Sequence, residues 1–345
     1  MLFDRKEGKR RKLASNEKLF TTSTALHRLG PGSRISTRVK RRGNVGGRGR
    51  LKGDLFLIGG GDPSLGRGGM NDLARDVRRS GIRRVSGTVI GDDSIFDRRR
   101  GVPGTNYEAT VDIPPLSGLV YNGSTYDGDP AKDAAKAFRS ALRRAGVRIK
   151  GKAKQGRLPG KLRGAPAMGE YRSPTIRSLV AATNKPSNNF FAEMLLKRLW
   201  AKPGRKGTTA GGVKAVERYA RRLGSRVQAR DGSGLTDGNR SSPRDIVRLL
   251  TAMLGNDEAG DAFYDSLARA GKEGTLDDRM EGTVAAGRCR GKTGTISGVS
   301  NLSGFCRAGH GRVAFSILMN GIGYDYDSAR NLQDRMVVEI ARYRP

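Results

Sequence analysis

A serine followed three positions later by a lysine begins an apolar, helix-like segment near the start of the chain. The two residues are Ser15 and Lys18, in the stretch LASNEKLFTT. Apolar residues recur there at helical spacing and Gly30-Pro31 gives a C-terminal stop, so we predict one helix over residues 15–30. Side chains three residues apart share a helix face, which would bring the lysine amine beside the serine hydroxyl.

This pair has the composition of a nucleophile with its own base. A serine hydroxyl is a poor nucleophile until a base takes its proton. Lysine, whose usual pKa is ~10.4, can be that base at neutral pH only if burial or nearby positive charge lowers its pKa. The helix N-terminus adds backbone N–H groups suited to an oxyanion. Taken alone, the two residues also fit a helix-capping serine followed by a solvated lysine.

Few residues are available for other common catalytic or metal sites. Cys289, Cys306, His27 and His310 do not have the spacing of zinc ligands. His27 lies about three turns beyond the serine in the same predicted helix, and His310 in a Gly-rich turn, so a Ser-His-Asp triad is poorly supported. No run of about 18 apolar residues predicts a membrane span, and residues 1–13 lack the apolar core of a secretory signal.

The chain is strongly basic. Its 345 residues include 66 Lys and Arg against 33 Asp and Glu, a formal net charge of +33. This charge predicts attraction to polyanions such as nucleic acid, anionic lipid headgroups or anionic wall polymers. Arginine scattered beside glycine, as in residues 46–50, also fits a merely solvated surface. With only 6% aromatic residues and no RNA- or DNA-recognition motif, nucleic acid is the least favoured partner.

The pattern of elements indicates two domains. Strand, helix and strand signals between residues 51 and 90 predict a small α/β unit, and residues 97–128, rich in Gly, Pro, Asn and Asp, predict a loop. Residues 150–170 indicate a linker, after which Ser173-Pro174 predicts the start of a helix. Helices and antiparallel strands then follow to the C-terminus.

Two later motifs favour the catalytic interpretation of the serine-lysine pair. They are Ser187-Asn188-Asn189, between two predicted helices, and Lys292-Thr293-Gly294-Thr295, on a predicted strand. In this order the three motifs are those of penicillin-binding proteins and serine β-lactamases. With the segments GDPSL, DGSGL and GTL, the chain resembles over nearly its whole length the D-alanyl-D-alanine carboxypeptidase/endopeptidase family of low-molecular-mass penicillin-binding proteins, peptidase family S13.

The resemblance implies an α/β (α+β) fold with a β-lactamase/transpeptidase-like catalytic domain, an antiparallel sheet flanked by helices. We assign residues 1–33 and 170–345 to this domain, and residues 34–169 to an inserted small α/β domain whose outer insert is reduced within residues 97–128. Only 14 residues precede Ser15. We therefore expect a truncated N-terminus that lacks the export signal and the first strand and helix of the catalytic sheet.

The resemblance also implies a serine-type D-Ala-D-Ala carboxypeptidase or endopeptidase that acts on peptidoglycan stem peptides. Ser15 would attack the carbonyl between the two terminal D-alanines while Lys18 takes its proton, forming an acyl-enzyme. Ser187 would relay a proton to the leaving amine, and Asn189 would hold the amide on the acyl side. β-Lactam antibiotics would acylate the same serine, and no metal or organic cofactor is implied.

The strand motif would bind the other end of the substrate. Lys292 and Thr293 would hold the terminal carboxylate, and Gly294 would let the substrate backbone approach closely. The N–H group of Thr295, with that of Ser15, would form the oxyanion hole. The resemblance places this chemistry outside the cytoplasmic membrane. The alternatives are a non-catalytic basic protein that binds cell wall or nucleic acid, and an esterase or β-lactamase that uses the same site.

Cys289 and Cys306 flank the strand motif symmetrically about the predicted turn at Ser297-Gly298. They should therefore lie opposite each other on neighbouring antiparallel strands, where directly opposed Cβ atoms are ~4.5 to 5.5 Å apart. We expect a disulfide, because the resembled family works in an oxidising compartment. Two buried thiols are the alternative, and would fit a cytoplasmic location.

Overall fold

A computed structural model describes residues 2–124, 128–309 and 311–344. The described helices are α1 (Glu17–Leu29), α2 (Arg67–Arg79), α3 (Pro130–Arg144), α4 (Ile176–Asn184), α5 (Asn189–Trp200), α6 (Thr209–Arg222), α7 (Pro243–Leu254), α8 (Gly260–Asp265) and α9 (Tyr326–Arg342). The described strands are β1 (Arg11–Lys12), β2 (Arg34–Gly46), β3 (Arg50–Ile58), β4 (Arg84–Val85), β5 (Val89–Asp92), β6 (Arg148–Ile149), β7 (Ala153–Gln155), β8 (Gly169–Thr175), β9 (Val227–Gln228), β10 (Arg240–Ser241), β11 (Ala268–Arg269), β12 (Cys289–Ile296), β13 (Val299–Ala308) and β14 (Gly311–Asn320).

The chain divides into two compact units. The first unit comprises Met1–Ser33, Ile176–Leu199 and Thr209–Pro345, and the second comprises Arg34–Thr175 and Trp200–Thr208. The second unit is therefore inserted into the first. His310, and residues 125–127 of the predicted loop, lie outside the described residues.

The second unit is a mixed sheet covered on one side by two helices. Its strand order is β6-β4-β3-β2-β8, and β5 pairs with β3 and with β7. In α2 the apolar residues Met70, Leu73, Ala74 and Val77 recur at helical spacing and are buried. Asp129 caps α3, where it accepts a hydrogen bond from the Lys132 N–H at 3.2 Å. The core lies between these helices and the sheet.

The end of the second unit corrects two predictions. Residues 150–170 are not a linker, because they contain β7 and the start of β8. Ser173-Pro174 lies in β8, which pairs with β2, and does not begin a helix. Residues 170–175 and 200–208, assigned from sequence to the catalytic domain, belong to the second unit. The single strand expected near residues 85–90 is two short strands, β4 and β5.

The first unit is built on an antiparallel sheet in the order β11-β12-β13-β14. β12 and β13 form a hairpin in which Cys289 pairs with Cys306 and Lys292 pairs with Ser303. α9 places Val337 and Ala341 in the core against these strands. A smaller sheet, β1-β10-β9, lies in the same unit. An antiparallel sheet with helices packed on it is the arrangement predicted for this part of the chain.

Membrane-spanning segments were sought in the part of the chain that the structure describes. No helix there has both the length and the apolar character needed to cross a bilayer.

Candidate active site

The serine of the first motif lies on a short 3-10 turn, Ala14–Asn16, that leads into α1. The sequence predicted one helix over residues 15–30 with Ser15 in its first turn. The structure instead places Ser15 in the 3-10 turn that precedes α1. Ala14 has a φ of +47°, a left-handed conformation that alanine rarely adopts. This bend lies at the start of the 3-10 turn, which then runs into α1 through right-handed helical backbone at Asn16 and Glu17. The Ser15 side chain is half-buried. A strained backbone at this position is typical of a functional site.

Lys18 is fully buried and holds three oxygen atoms around its amine. Its Nζ lies 2.9 Å from Ser15 Oγ, 2.7 Å from Asn189 Oδ1 and 2.7 Å from the Ser233 carbonyl oxygen. The amide and carbonyl oxygens can only accept hydrogen bonds. A neutral amine would therefore spend its two N–H groups on them, which leaves its lone pair directed at the serine hydroxyl.

The pKa of the Lys18 amine supports this arrangement. Burial lowers it from its ordinary value to about 7, although the carboxyl groups of Asp231, Glu193 and Glu17 act in the opposite direction. A large fraction of the amine is therefore neutral at physiological pH. A lysine can act as the base only if burial or nearby positive charge lowers its pKa, and here burial does so.

The second motif stands at the start of α5. Asn188 caps the helix, because its Oδ1 accepts a hydrogen bond from the Phe191 N–H at 2.9 Å. Asn189 is the first helical residue and contacts Lys18 through its own side chain. Ser187 precedes the cap with a φ of +61°, again in the left-handed region. The backbone here is held against its local preference, as at Ala14.

The third motif lies on the edge of β12 beside the nucleophile turn. A Cβ atom on Gly294 would lie 2.9 Å from the Leu13 carbonyl oxygen and 3.1 Å from the Asn16 nitrogen, so glycine allows the turn to pack here. Asn16 Nδ2 donates to the Lys292 carbonyl at 3.0 Å and fixes the turn to the strand. Two elements far apart in sequence are thereby held together.

The side chains of this strand differ in exposure. The Lys292 amine is buried and donates to the Thr293 carbonyl at 2.9 Å; burial, and the neighbouring Lys18, lower its pKa well below its usual range. Thr293 Oγ1 donates to Thr275 Oγ1 at 2.8 Å, which links the strand to the GTL segment. Thr295 is exposed.

The sequence interpretation missed the buried carboxyl groups beneath Lys18. Glu193 Oε1 accepts hydrogen bonds from the Gly232 and Ser233 N–H groups at 2.8 and 2.6 Å, which turns the Ser233 carbonyl toward the lysine. Burial, with a further contribution from Asp231, raises the pKa of Glu193. Glu193 follows Asn189 by one helical turn. That spacing puts the two side chains on the same face of α5, and it could have pointed to Glu193 from the sequence.

Glu17 is a second carboxyl group that the motifs did not suggest. It is fully buried, and neither of its carboxyl oxygens has a hydrogen-bond partner among residues 2–124, 128–309 and 311–344. Burial, and then the carboxyl groups of Asp231, Glu193 and Glu217, raise its pKa well above the ordinary value. The site therefore favours the protonated form of Glu17, because an unpaired buried charge is strongly unfavourable.

Cys289 and Cys306 are joined by a disulfide in the structure. They are paired residues at the base of the β12-β13 hairpin. The bond therefore ties β12, which carries both Lys292 and Thr293, to its neighbour β13.

Together these contacts define an acyl-transfer site of the serine-lysine class. The structure places the side chains of Ser15 and Asn189 in direct contact with Lys18, and it packs the Lys292–Thr295 strand against the turn that carries the serine. Ser187 lies two residues from Asn189, at the N-terminal end of α5. The arrangement can form a covalent ester on a serine whose proton a buried amine accepts.

Comparisons with known proteins agree with this class. The D-Ala-D-Ala carboxypeptidase 3 (S13) family matches over residues 1–128 and 124–343. A D-alanyl-D-alanine carboxypeptidase of Actinomadura sp. (strain R39) is 29% identical, with 99% of this chain and 79% of that protein covered. A carboxypeptidase of Mycolicibacterium smegmatis is 30% identical, with 90% and 71% covered. The crystal structure of penicillin binding protein 4 from Haemophilus influenzae superposes with a TM-score of 0.84 at 20% identity, covering 99% of this chain and 94% of that one.

The chain belongs to the D-Ala-D-Ala carboxypeptidase 3 (S13) family. The family, the fold class and the serine carboxypeptidase predicted from the sequence are confirmed.

Proposed function

We propose that Ser15 is the nucleophile of a D-Ala-D-Ala carboxypeptidase that cleaves peptidoglycan stem peptides. One observation carries the proposal, namely the three-oxygen environment of the Lys18 amine, which directs a lone pair at the Ser15 hydroxyl. The serine oxygen would attack the carbonyl carbon of the penultimate D-alanine as the amine takes its proton. The oxyanion that forms would accept hydrogen bonds from the Ser15 and Thr295 N–H groups.

The second half of the reaction releases D-alanine. Collapse of the tetrahedral intermediate breaks the carbon–nitrogen bond, and the leaving amine gains a proton through the Ser187 hydroxyl. Water then hydrolyses the ester and frees the serine. Asn189 would hold the acyl-side amide with the N–H groups of its side chain, because its oxygen is already used by Lys18.

Lys292 and Thr293 would recognise the terminal carboxylate. Burial and Lys18 lower the pKa of Lys292 in the free site, and the opposite charge of a bound carboxylate would raise it and favour the charged amine. A substrate that ends in an amide would lose this contact. Recognition of peptidoglycan, and the capture of β-lactams by the same serine, would place the activity where the cell wall lies, outside the cytoplasmic membrane.

The test compares hydrolysis of a D-Ala-D-Ala peptide by the wild type, Ser15→Ala and Ser297→Ala. Ser297 is an exposed serine on the turn of the β12-β13 hairpin and is the matched control. We expect Ser15→Ala to lose at least about 1,000-fold in kcat/KM, because the nucleophile is removed, while Ser297→Ala keeps the wild-type rate. Hydrolysis at the wild-type rate by folded Ser15→Ala protein would refute the proposal.

A further inference from the structure

The sheet of the second unit has two unlike faces. Val39, Leu55 and Leu57 belong to the core beneath α2 and α3. Because side chains alternate along a strand, the even-numbered residues of β2 and β3 project from the other side, here called the open face. The basic residues that the strands place on the open face are Arg38, Lys40, Arg42, Arg50, Lys52, Arg84, Arg148, Lys154 and Arg172.

The acidic residues of the open face are already occupied. Asp54 pairs with Arg42, and Glu170 pairs with both Arg38 and Arg172. Asp92 accepts the Leu158 N–H at 2.6 Å. The positive charge of this face therefore greatly exceeds what its own carboxylates can neutralise.

Three arginines at one end of the open face lie in register. Arg50 pairs with Arg84 across β3 and β4, and Arg84 pairs with Arg148 across β4 and β6. All three are exposed, and none has a carboxylate partner in the part of the chain that the structure describes. We call these residues the arginine row.

The arginine row is electrostatically unfavourable by itself. Adjacent strands lie ~4.8 Å apart, and like charges placed directly opposite each other destabilise a sheet. A scattered basic surface would avoid this alignment. An anion bound across the row would relieve the repulsion, and guanidinium groups match phosphate oxygens through paired hydrogen bonds.

The residue types on the open face indicate which class of polyanion it binds. Its aromatic ring, Phe56, is 1% exposed and Ile90 is 5% exposed, and both pack beneath Leu158. Among the described residues, the strands place no exposed ring on this face for nucleic-acid bases to stack on. Its apolar side chains are buried or, like Ile58, half-buried, and so offer little to a membrane surface. We propose that the open face binds a flexible polymer of phosphodiester units, with the arginine row as its main contact.

The test measures binding of a fluorescent poly(glycerol phosphate) chain over a range of salt concentrations. The row variant is Arg50→Gln/Arg84→Gln/Arg148→Gln. The control variant removes three exposed arginines from α6 and α9 of the first unit and is Arg218→Gln/Arg222→Gln/Arg335→Gln. Both variants lose the same net charge.

The row variant should bind at least about tenfold more weakly at low salt. Its negative slope of log K against log salt should become less steep by about 2. The control variant should change by less than about threefold. Without polymer, the row variant should unfold at a higher temperature in low salt, because the repulsion is gone. Hydrolysis of a small D-Ala-D-Ala peptide should be unchanged in both, which separates this proposal from the proposed function.

Equal loss of binding in the two variants would show that charge acts diffusely and would overturn the proposal. Tighter binding to a single-stranded oligonucleotide or to phosphatidylglycerol vesicles than to the polymer would overturn the choice of ligand.

Discussion

At the level of single residues, the site depends on how Lys18 is hydrogen-bonded. Two of its three neighbours, the Asn189 and Ser233 oxygens, cannot donate a proton. The third, Ser15 Oγ, can. The direction of proton transfer is thus built into the geometry, and the pKa near 7 makes the neutral amine available.

This geometry predicts the pH dependence of acylation. Only the neutral amine accepts a proton, so the second-order rate of acylation should fall about tenfold per pH unit below pH 7 and level off above it. Lys18→Arg should reduce the rate by at least about 100-fold, since guanidinium stays protonated. Lys214→Arg, at an exposed lysine of α6, is the control. A rate that does not change across pH 7 would show that another group is the base.

Glu17 allows a separate test of the buried carboxyl groups. A carboxyl whose pKa is raised binds its proton more tightly in the folded protein than in the unfolded chain. Folding stability therefore falls as pH rises above the ordinary pKa, by up to about 1.4 kcal/mol per pH unit. Glu17→Gln keeps the shape and removes the titration.

The free energy of unfolding of Glu17→Gln should therefore match the wild type near pH 4 to 5 and exceed it at pH 8, as measured by urea denaturation. Glu281→Gln, at an exposed carboxylate, should follow the wild type at both pH values. If Glu17→Gln and the wild type had equal stabilities at pH 8, Glu17 would not be buried in its protonated form.

At the level of elements, the site forms where a turn, a loop and a strand edge meet. The loop is the DGSGL segment, in which Gly234 has a φ of +87°. A Cβ atom there would lie 1.8 Å from the Ala14 carbonyl oxygen. The loop and the nucleophile turn can pack this closely only because residue 234 is glycine.

Gly234→Ala should therefore displace the serine and reduce acylation by at least about 100-fold, because small displacements of a reacting group are costly. Gly224→Ala is the matched control, since Gly224 also has a positive φ, +68°, but has no atom within 4 Å of its Cβ position. The control should lose stability and keep its acylation rate. Similar acylation rates in the two variants would mean that the close packing does not position the serine.

The elements show why the sequence predicted the motifs better than their surroundings. Spacing along a helix was enough to place Lys18 beside Ser15. The strand at Ser173-Pro174 was missed because proline at a helix start and proline in a strand look alike locally, and only pairing with β2 decides between them. The Glu193 contact to the DGSGL loop was missed because it joins residues 39 and 40 positions apart.

At the level of the whole molecule, charge is divided unevenly. The second unit has 33 basic and 13 acidic residues, a net +20 of the total +33. Composition could predict attraction to polyanions but not its location, because the open face emerges only when strand register is known. The inserted unit was predicted, whereas its end was placed too early, since β8 returns to the sheet after the stretch interpreted as a linker.

The most direct test of the account is to locate the covalent adduct formed with a labelled penicillin. Intact-protein mass spectrometry should show a single penicilloyl group per chain, peptide mapping should place it on Ser15, and its release should be slow. Rapid release would indicate a β-lactamase. An adduct on another residue, or one that persists in Ser15→Ala, would contradict the account.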